Sequence, residues 1–413
     1  MTSTGPFAWR RESELLVWCA RTEVPGSLRE TIRRRVSEPL NWNEVQCQAA
    51  YHGVGPLLYR TLSTHCADLV PPAALTHLRQ KVQAGMLLNR ALTKELVAIC
   101  NAFAGRNVPV LPIKGATLAV VAYRDLTLRD FGDLDLLIPE HALHEAQSIL
   151  LAEGYEAKDP ASDPEAQEHE DGPYQVYIKR GALSRVDLQW IMAHECFEFR
   201  LDRAEFWKRS KPVLLGEQTA PGLSPEDLLI VLCVHGSKHA WEQLKWVCDV
   251  AELLRSHQSL NWDRLLADAS AWRCRRYVLL GLAMAHQLLD APLPPEILAN
   301  CRADADIEAL AGRMPWTLFE NPHEGVNEQQ AVALYFSLKD SWLERWLFGL
   351  TLCRNQHPLL RSLPHWFRWR RALPRLDHAV RPFQNAARYL IPGGLRDAIN
   401  RWVDRGGEAA SHR

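Results

Sequence analysis

The hexapeptide Gly132-Asp133-Leu134-Asp135-Leu136-Leu137 sets the tightest limit on how this chain can fold. In a β-strand alternate side chains share a face, so Asp133 and Asp135 point one way and Leu134 and Leu136 the other. The leucines demand a core on their side. The carboxylates, about 6.5–7 Å apart along the backbone, repel each other unless a cation lies between them. A divalent ion resolves that cost, and hard oxygen donors suit Mg²⁺, with Mn²⁺ as the alternative. For an isolated D-x-D the plainer reading is a strand end with solvated carboxylates, because the tripeptide is common.

The company of this strand lifts the signal. Upstream, Val108 to Ile113 is β-like and ends at Lys114-Gly115, a strand-to-helix junction whose backbone N–H groups can receive phosphate oxygens. Arg129 stands four residues before Asp133, within reach of a phosphate charge. Asp187, in Val186-Asp187-Leu188-Gln189-Trp190, is a third carboxylate on a later strand. Singly, each has a plainer reading that prevails. Lys114 is a snorkelling lysine, Gly115 a turn glycine, Arg129 a surface ion pair and Asp187 a solvated edge residue. Together, in this order, they favour a site.

The flanks are helical. Leu75, Leu78, Val82, Met86, Leu92, Leu96 and Ile99 recur mostly at three- and four-residue steps, interrupted only by the polar Asn89, behind Pro71-Pro72. Between Val108 and Trp190 the pattern turns to short strands and helices, with Tyr174–Lys179 and Arg185–Trp190 joined around Gly181 as a hairpin. Tyr155 to Gly172 is acidic and proline-rich, and reads as a loop. Ser224-Pro225-Glu226-Asp227 opens a further run of helices with a capping serine, a proline at the first position and carboxylates in the first turn. The expected class is α+β: a small mixed-sheet core flanked by N- and C-terminal helical regions. Its boundaries fall at 1–104, 105–218, 219–339 and 340–413.

The order of Lys114-Gly115, Asp133-Leu-Asp-Leu-Leu137 and Val186-Asp-Leu-Gln-Trp190 resembles the DNA polymerase β-like nucleotidyltransferase superfamily. More narrowly, it is similar to the uncharacterised bacterial nucleotidyltransferase family 5. Ala50-Tyr-His-Gly-Val-Gly-Pro-Leu-Leu58 resembles that group's N-terminal helical segment. His235-Gly-Ser-Lys-His239-Ala-Trp241 with Leu244-Lys-Trp-Val-Cys-Asp249 resembles its C-terminal signature. The likeness runs from Trp42 to Leu254. It implies transfer of a nucleoside monophosphate from an NTP to a hydroxyl acceptor by two-metal in-line displacement. Asp133, Asp135 and Asp187 would be the catalytic and metal-binding set, and Asp187 would also help deprotonate the acceptor. Lys114, Gly115 and Arg129 would meet phosphate. The superfamily follows its glycine with serine or a second glycine, whereas Ala116 and Thr117 stand here. That departure bears on the phosphate-binding geometry, with the Thr117 hydroxyl as the substitute.

His235 and His239 have metal-ligand spacing on a helix, but Gly236 stands where H-E-x-x-H has its glutamate. A satisfied helix-face role is the plainer reading. The functional one places His239, Lys245 and Asp249 along a cleft over the nucleotide. A binding or membrane-associated accessory protein that keeps the fold without catalysis is the alternative.

A net charge of −1 excludes a uniformly basic nucleic-acid binder. Yet residues 340–413 hold 13 arginines, no lysine and 6 acidic residues, for +7, which leaves −8 on the rest. Five tryptophans lie among those arginines. Such a tail suits docking onto the acidic body first, an anionic membrane surface next, and single-stranded nucleic acid last. Ten cysteines without a C-x-x-C pair read as reduced core residues. With no apolar leader or span in the sequence, the expected location is the cytoplasm or the periphery of the inner membrane.

Overall fold

The computed structural model describes residues 9–158, 174–179, 181, 184–190, 203–320, 328–340, 344, 345 and 348. The chain divides into two units, Met1–Val326 and Asn327–Arg413. In the second, a helix spans Glu328–Ser337 and the Lys339 ammonium lies 5.1 Å from the centre of the Phe348 ring. Nearly all of the arginine- and tryptophan-rich tail lies outside the described residues, as do 159–173 of the acidic segment. No helix among the described residues is long and apolar enough to cross a membrane.

The first unit opens with five helices, Arg11–Cys19, Gly26–Val36, Trp42–Tyr51, Gly55–His65 and Pro72–Gly105. The last follows the expected stripe. Leu78, Val82, Leu92, Leu96 and Ile99 are buried, and Leu75 and Met86 half-buried. Asn89 is buried too, at 1% exposure, so the polar interruption of the stripe needs partners inside the protein.

Five strands form a mixed sheet in the order β1 (Leu111–Pro112), β2 (Leu134–Leu137), β5 (Arg185–Gln189), β4 (Tyr174–Lys179), β3 (Tyr155–Ala157). β2 and β5 run parallel, and the other neighbours are antiparallel. The β-like run from Val108 shrinks to the two-residue β1. Pro109 and Pro112 cannot donate to a ladder, which confines the run to the sheet edge. The hairpin around Gly181 forms, with Tyr174 opposite Gln189 and Ile178 opposite Arg185.

Three strands escape the sequence pattern. Tyr155–Ala157, inside the stretch read as a loop, is the edge strand β3. Tyr155 is 1% exposed and its hydroxyl donates to Glu95 at 2.6 Å, which fixes the segment despite the acidic run behind it. β6 (Lys211–Leu215) and β7 (Gln218–Gly222) form a separate hairpin turning at Gly216, whose φ is 69°.

Leu134, Leu136, Val186 and Leu188 join Leu92, Leu96, Phe103, Ile149 and Leu150 in one buried cluster. One face of β2 and β5 is thereby committed to the core.

After the hairpin come helices at Pro225–Lys238, Leu244–Ser256, Trp262–Ala271, Arg275–Leu289, Pro295–Ala303 and Ala305–Glu320. The first starts as the sequence implies: Ser224 accepts from the Asp227 amide at 3.3 Å, and Pro225 occupies its first turn. Trp241, fully buried, folds back over this helix and donates to Ser237 at 3.1 Å. It lies so close to Gly236 that a Cβ there would sit 2.5 Å from the indole. Gly236→Ala is therefore expected to destabilise the protein by about 1–3 kcal/mol through overpacking. A urea denaturation midpoint equal to that of the unsubstituted protein would contradict this packing.

Candidate functional site

The approach to β2 is fixed from behind by Asn89. Its side-chain amide donates to the carbonyls of Leu126 at 2.7 Å and Arg129 at 2.9 Å, and accepts from the Phe131 amide at 3.4 Å. The interruption in the apolar stripe thus clamps the loop that delivers Asp133. In the parallel pairing, Asp135 lies directly opposite Asp187. One ligand oxygen from each of Asp133, Asp135 and Asp187 comes within 4.8 Å of the others. The side chains brought together are the three expected from the sequence.

The Lys-Gly junction meets this cluster from the neighbouring strand. The Ile113 amide donates to the Asp135 carbonyl at 3.1 Å, and Lys114 follows at once. Gly115 adopts φ 62° and ψ −127° at the start of the helix Ala116–Tyr123, a conformation open in practice only to glycine. The Thr117 hydroxyl donates to the Lys114 carbonyl at 2.9 Å and is 4% exposed, which closes the turn.

Repulsion shapes the electrostatics. The charge of Asp135, then burial, push the Asp133 carboxyl above the ordinary range, against the pull of Lys114, Arg129 and Arg185. Burial raises Asp187 to about 6, opposed by its hydrogen bond from Arg185. Cations already stand against the cluster. Lys114 Nζ is 3.0 Å from Asp135 Oδ2, Gln189 donates to Asp135 Oδ1 at 3.0 Å, and Arg185 Nε donates to Asp187 Oδ1 at 2.8 Å.

The C-terminal helices add further positive charge. Lys238 feels both Asp135 and Asp187, and Lys245 feels Asp133 and Asp249. Burial lowers the pKa of both ammonium groups, with Lys114 pressing further on Lys238 and Arg129 on Lys245. His235 lies 3.5 Å from Lys114 Nζ, and burial followed by that charge holds its imidazole neutral, well below the ordinary value. His239 stacks on Trp246 with ring centres 5.0 Å apart and meets His235 edge-on at 4.6 Å.

Arg129 and Asp249, both expected along the nucleotide, face each other. Arg129 Nε donates to Asp249 Oδ1 at 2.7 Å and Nη2 to Oδ2 at 2.9 Å, while the Tyr123 hydroxyl donates to Oδ1 at 2.7 Å. The pair is buried, at 7% and 1% exposure. Burial opposes the guanidinium's charge, but Asp249 overrides it and raises its pKa. This bidentate pair fastens the loop before β2 to the helix Leu244–Ser256.

Four contributors escaped the sequence reading: Asn89, Arg185, Gln189 and Lys238. Lys238 had a signal, since it follows His235 by three residues and so shares its helix face. Arg185 and Gln189 had one too, because each is two residues from Asp187 on the same strand face.

Three carboxylates thus lie close together, with a glycine-led helix at their side and lysines around them. The chain belongs to the family described as uncharacterised nucleotidyltransferase, whose model matches residues 38–290. No curated protein matches the chain.

The buried pair makes a measurable claim. Arg129→Met strands the Asp249 carboxylate and is expected to cost about 3–5 kcal/mol in urea unfolding. Arg129→Met with Asp249→Leu should recover much of that loss. A single substitution that leaves stability unchanged would contradict the pairing.

Proposed function

We propose that the protein transfers a nucleoside monophosphate from an NTP to a hydroxyl-bearing acceptor, with Asp133, Asp135 and Asp187 holding Mg²⁺. The observation that carries this reading is the convergence of three carboxylate oxygens within 4.8 Å, in a chain of the nucleotidyltransferase family. The donor set fits a hard divalent cation: all three ligands are oxygens, and two of the three carboxyls are raised in pKa, as charges that lack sufficient compensation are. Magnesium bound there would supply Lewis-acid stabilisation of charge on the phosphoryl oxygens.

The chain's own residues do the rest. Lys114, Lys238 and Lys245 offer ammonium groups to a triphosphate, and Lys114, paired here with Asp135, would turn to phosphate with that carboxylate committed to a cation. Gly115 allows backbone N–H groups at the helix start to approach a phosphate closely. Asp187 accepts the proton of the acceptor hydroxyl, whose oxygen attacks the α-phosphorus as the bond to the β-phosphate oxygen breaks and pyrophosphate leaves. Arg129 and Asp249 act as positioning residues, because each is occupied by the other. His239, stacked on Trp246, adds an aromatic pair beside Lys245, whose ammonium lies 5.8 Å from the centre of the Trp246 ring.

A non-catalytic binding protein of the same fold is the second reading. It draws on the ion pairs of Lys114 with Asp135 and Arg185 with Asp187, which already satisfy part of the acidic set. Incubation with each α-labelled NTP, Mg²⁺ and cell extract separates the two. The enzyme reading expects label transfer and pyrophosphate release that fall by about 100-fold or more in Asp133→Asn/Asp135→Asn. Equal turnover by both proteins would remove the aspartates from the mechanism, and no turnover with any acceptor pool would favour the binding protein.

A further inference from the structure

A second cleft lies among the N-terminal helices and encloses about 550 Å³. That is within the roughly 300–1,000 Å³ of ordinary small-molecule sites. It is lined by Thr22 and Glu23, by Arg29 of the helix Gly26–Val36, by Arg60 and His65 of the helix Gly55–His65, and by Arg255. Arg255 lies ten residues beyond Lys245 on the helix Leu244–Ser256, about 15 Å along its axis, so the cleft is separate from the three aspartates.

The walls are basic beyond what they neutralise. Three arginines face Glu23 and the adjoining Glu252, which pairs with Arg255, and His65 is held below its ordinary pKa by burial and by Arg29. Arg29 and Arg60 make no ion pair among the described residues. Arg29 Nε donates to the Val24 carbonyl at 2.9 Å, which leaves the outer guanidinium nitrogens for another partner. Arg255 is oriented by Glu252 and the Leu289 carbonyl.

Two further features add positive potential. The helix Gly26–Val36 begins at the cleft-lining Pro25 with no side-chain cap and no acidic residue in its first turn, so the positive end of its dipole is uncompensated. Arg21, just ahead of Thr22, is 3% exposed; its Nη1 lies 3.5 Å from Asp290 Oδ2, while its Nε has no hydrogen-bond partner. Burial and then the charge of Arg255 lower its pKa.

We propose that this cleft binds a phosphorylated small molecule, with the phosphoryl group among Arg29, Arg60 and Arg255. Glu23 and Glu252 offset two of the three arginines, which leaves one positive charge together with the uncapped N-terminus of the helix Gly26–Val36, worth about half a charge more. A phosphomonoester carries about −1.5 to −2 at neutral pH and three acceptor oxygens, whereas a carboxylate brings one charge and two oxygens. The planar forks of the arginines match the oxygens of the tetrahedral anion.

Isothermal titration of the metal-free, full-length protein with inorganic phosphate at fixed ionic strength tests this. The expected result is saturable one-to-one binding, weakened about tenfold or more in Arg29→Gln/Arg60→Gln and largely restored in Arg29→Lys/Arg60→Lys. Lys238→Gln/Lys245→Gln, altered at the other site, should bind as the unsubstituted protein does, and acetate should not compete. Thermal melts without phosphate check that both exposed arginine positions tolerate substitution. Equal phosphate affinity in Arg29→Gln/Arg60→Gln, binding abolished by Lys238→Gln/Lys245→Gln, or acetate binding as tight as phosphate each overturns the proposal.

Discussion

Like charges are held together here by the apolar residues between them. Leu134 and Leu136 on β2, and Val186 and Leu188 on β5, are essentially inaccessible to water and belong to one core. The pleat then turns Asp135 and Asp187 to the opposite face, and the parallel register sets them directly across from each other. A one-residue slip would send the carboxylates into the core and the leucines out. Burial of the leucines therefore stabilises a geometry that electrostatics alone would oppose, and the Asp133 carboxyl, raised first by the charge of Asp135, records that opposition.

The surrounding structure answers the accumulated negative charge at several ranges. Lys114 and Arg185 make direct ion pairs with Asp135 and Asp187. Lys238 and Lys245 act from helices that follow the sheet in sequence. Two buried polar devices hold these parts in place: Asn89, which fixes the loop before Asp133, and the Arg129–Asp249 pair, which ties that loop to the helix Leu244–Ser256. Breaking either leaves a buried polar group without its partner, so each specifies one arrangement of the site.

The acidic cluster was legible in the sequence because strand periodicity has only two faces, and aspartate alternating with leucine assigns them without ambiguity. The helix from Pro72 was legible for the analogous reason at helical period. The polar interruption of its apolar stripe, Asn89, showed that something was different but not what, since its partners lie 37 to 42 residues away. Arg129 and Asp249, 120 residues apart, each had an independent rationale as a nucleotide contact, and no local pattern pairs them. The edge strand Tyr155–Ala157 was hidden because three residues carry too little periodicity against an acidic neighbourhood. The basic cleft was hidden differently: its arginines come from three separate helices and converge only in the folded chain.

The proposed activity requires that these three carboxylates form one divalent-cation site. Direct titration with Mn²⁺ tests it without any knowledge of nucleotide or acceptor. The unsubstituted protein should bind saturably, and Asp133→Asn/Asp135→Asn should weaken binding by about tenfold or more, with Asp187→Asn lowering it as well. Binding of equal strength in all three proteins, or none in the unsubstituted one, would contradict the account.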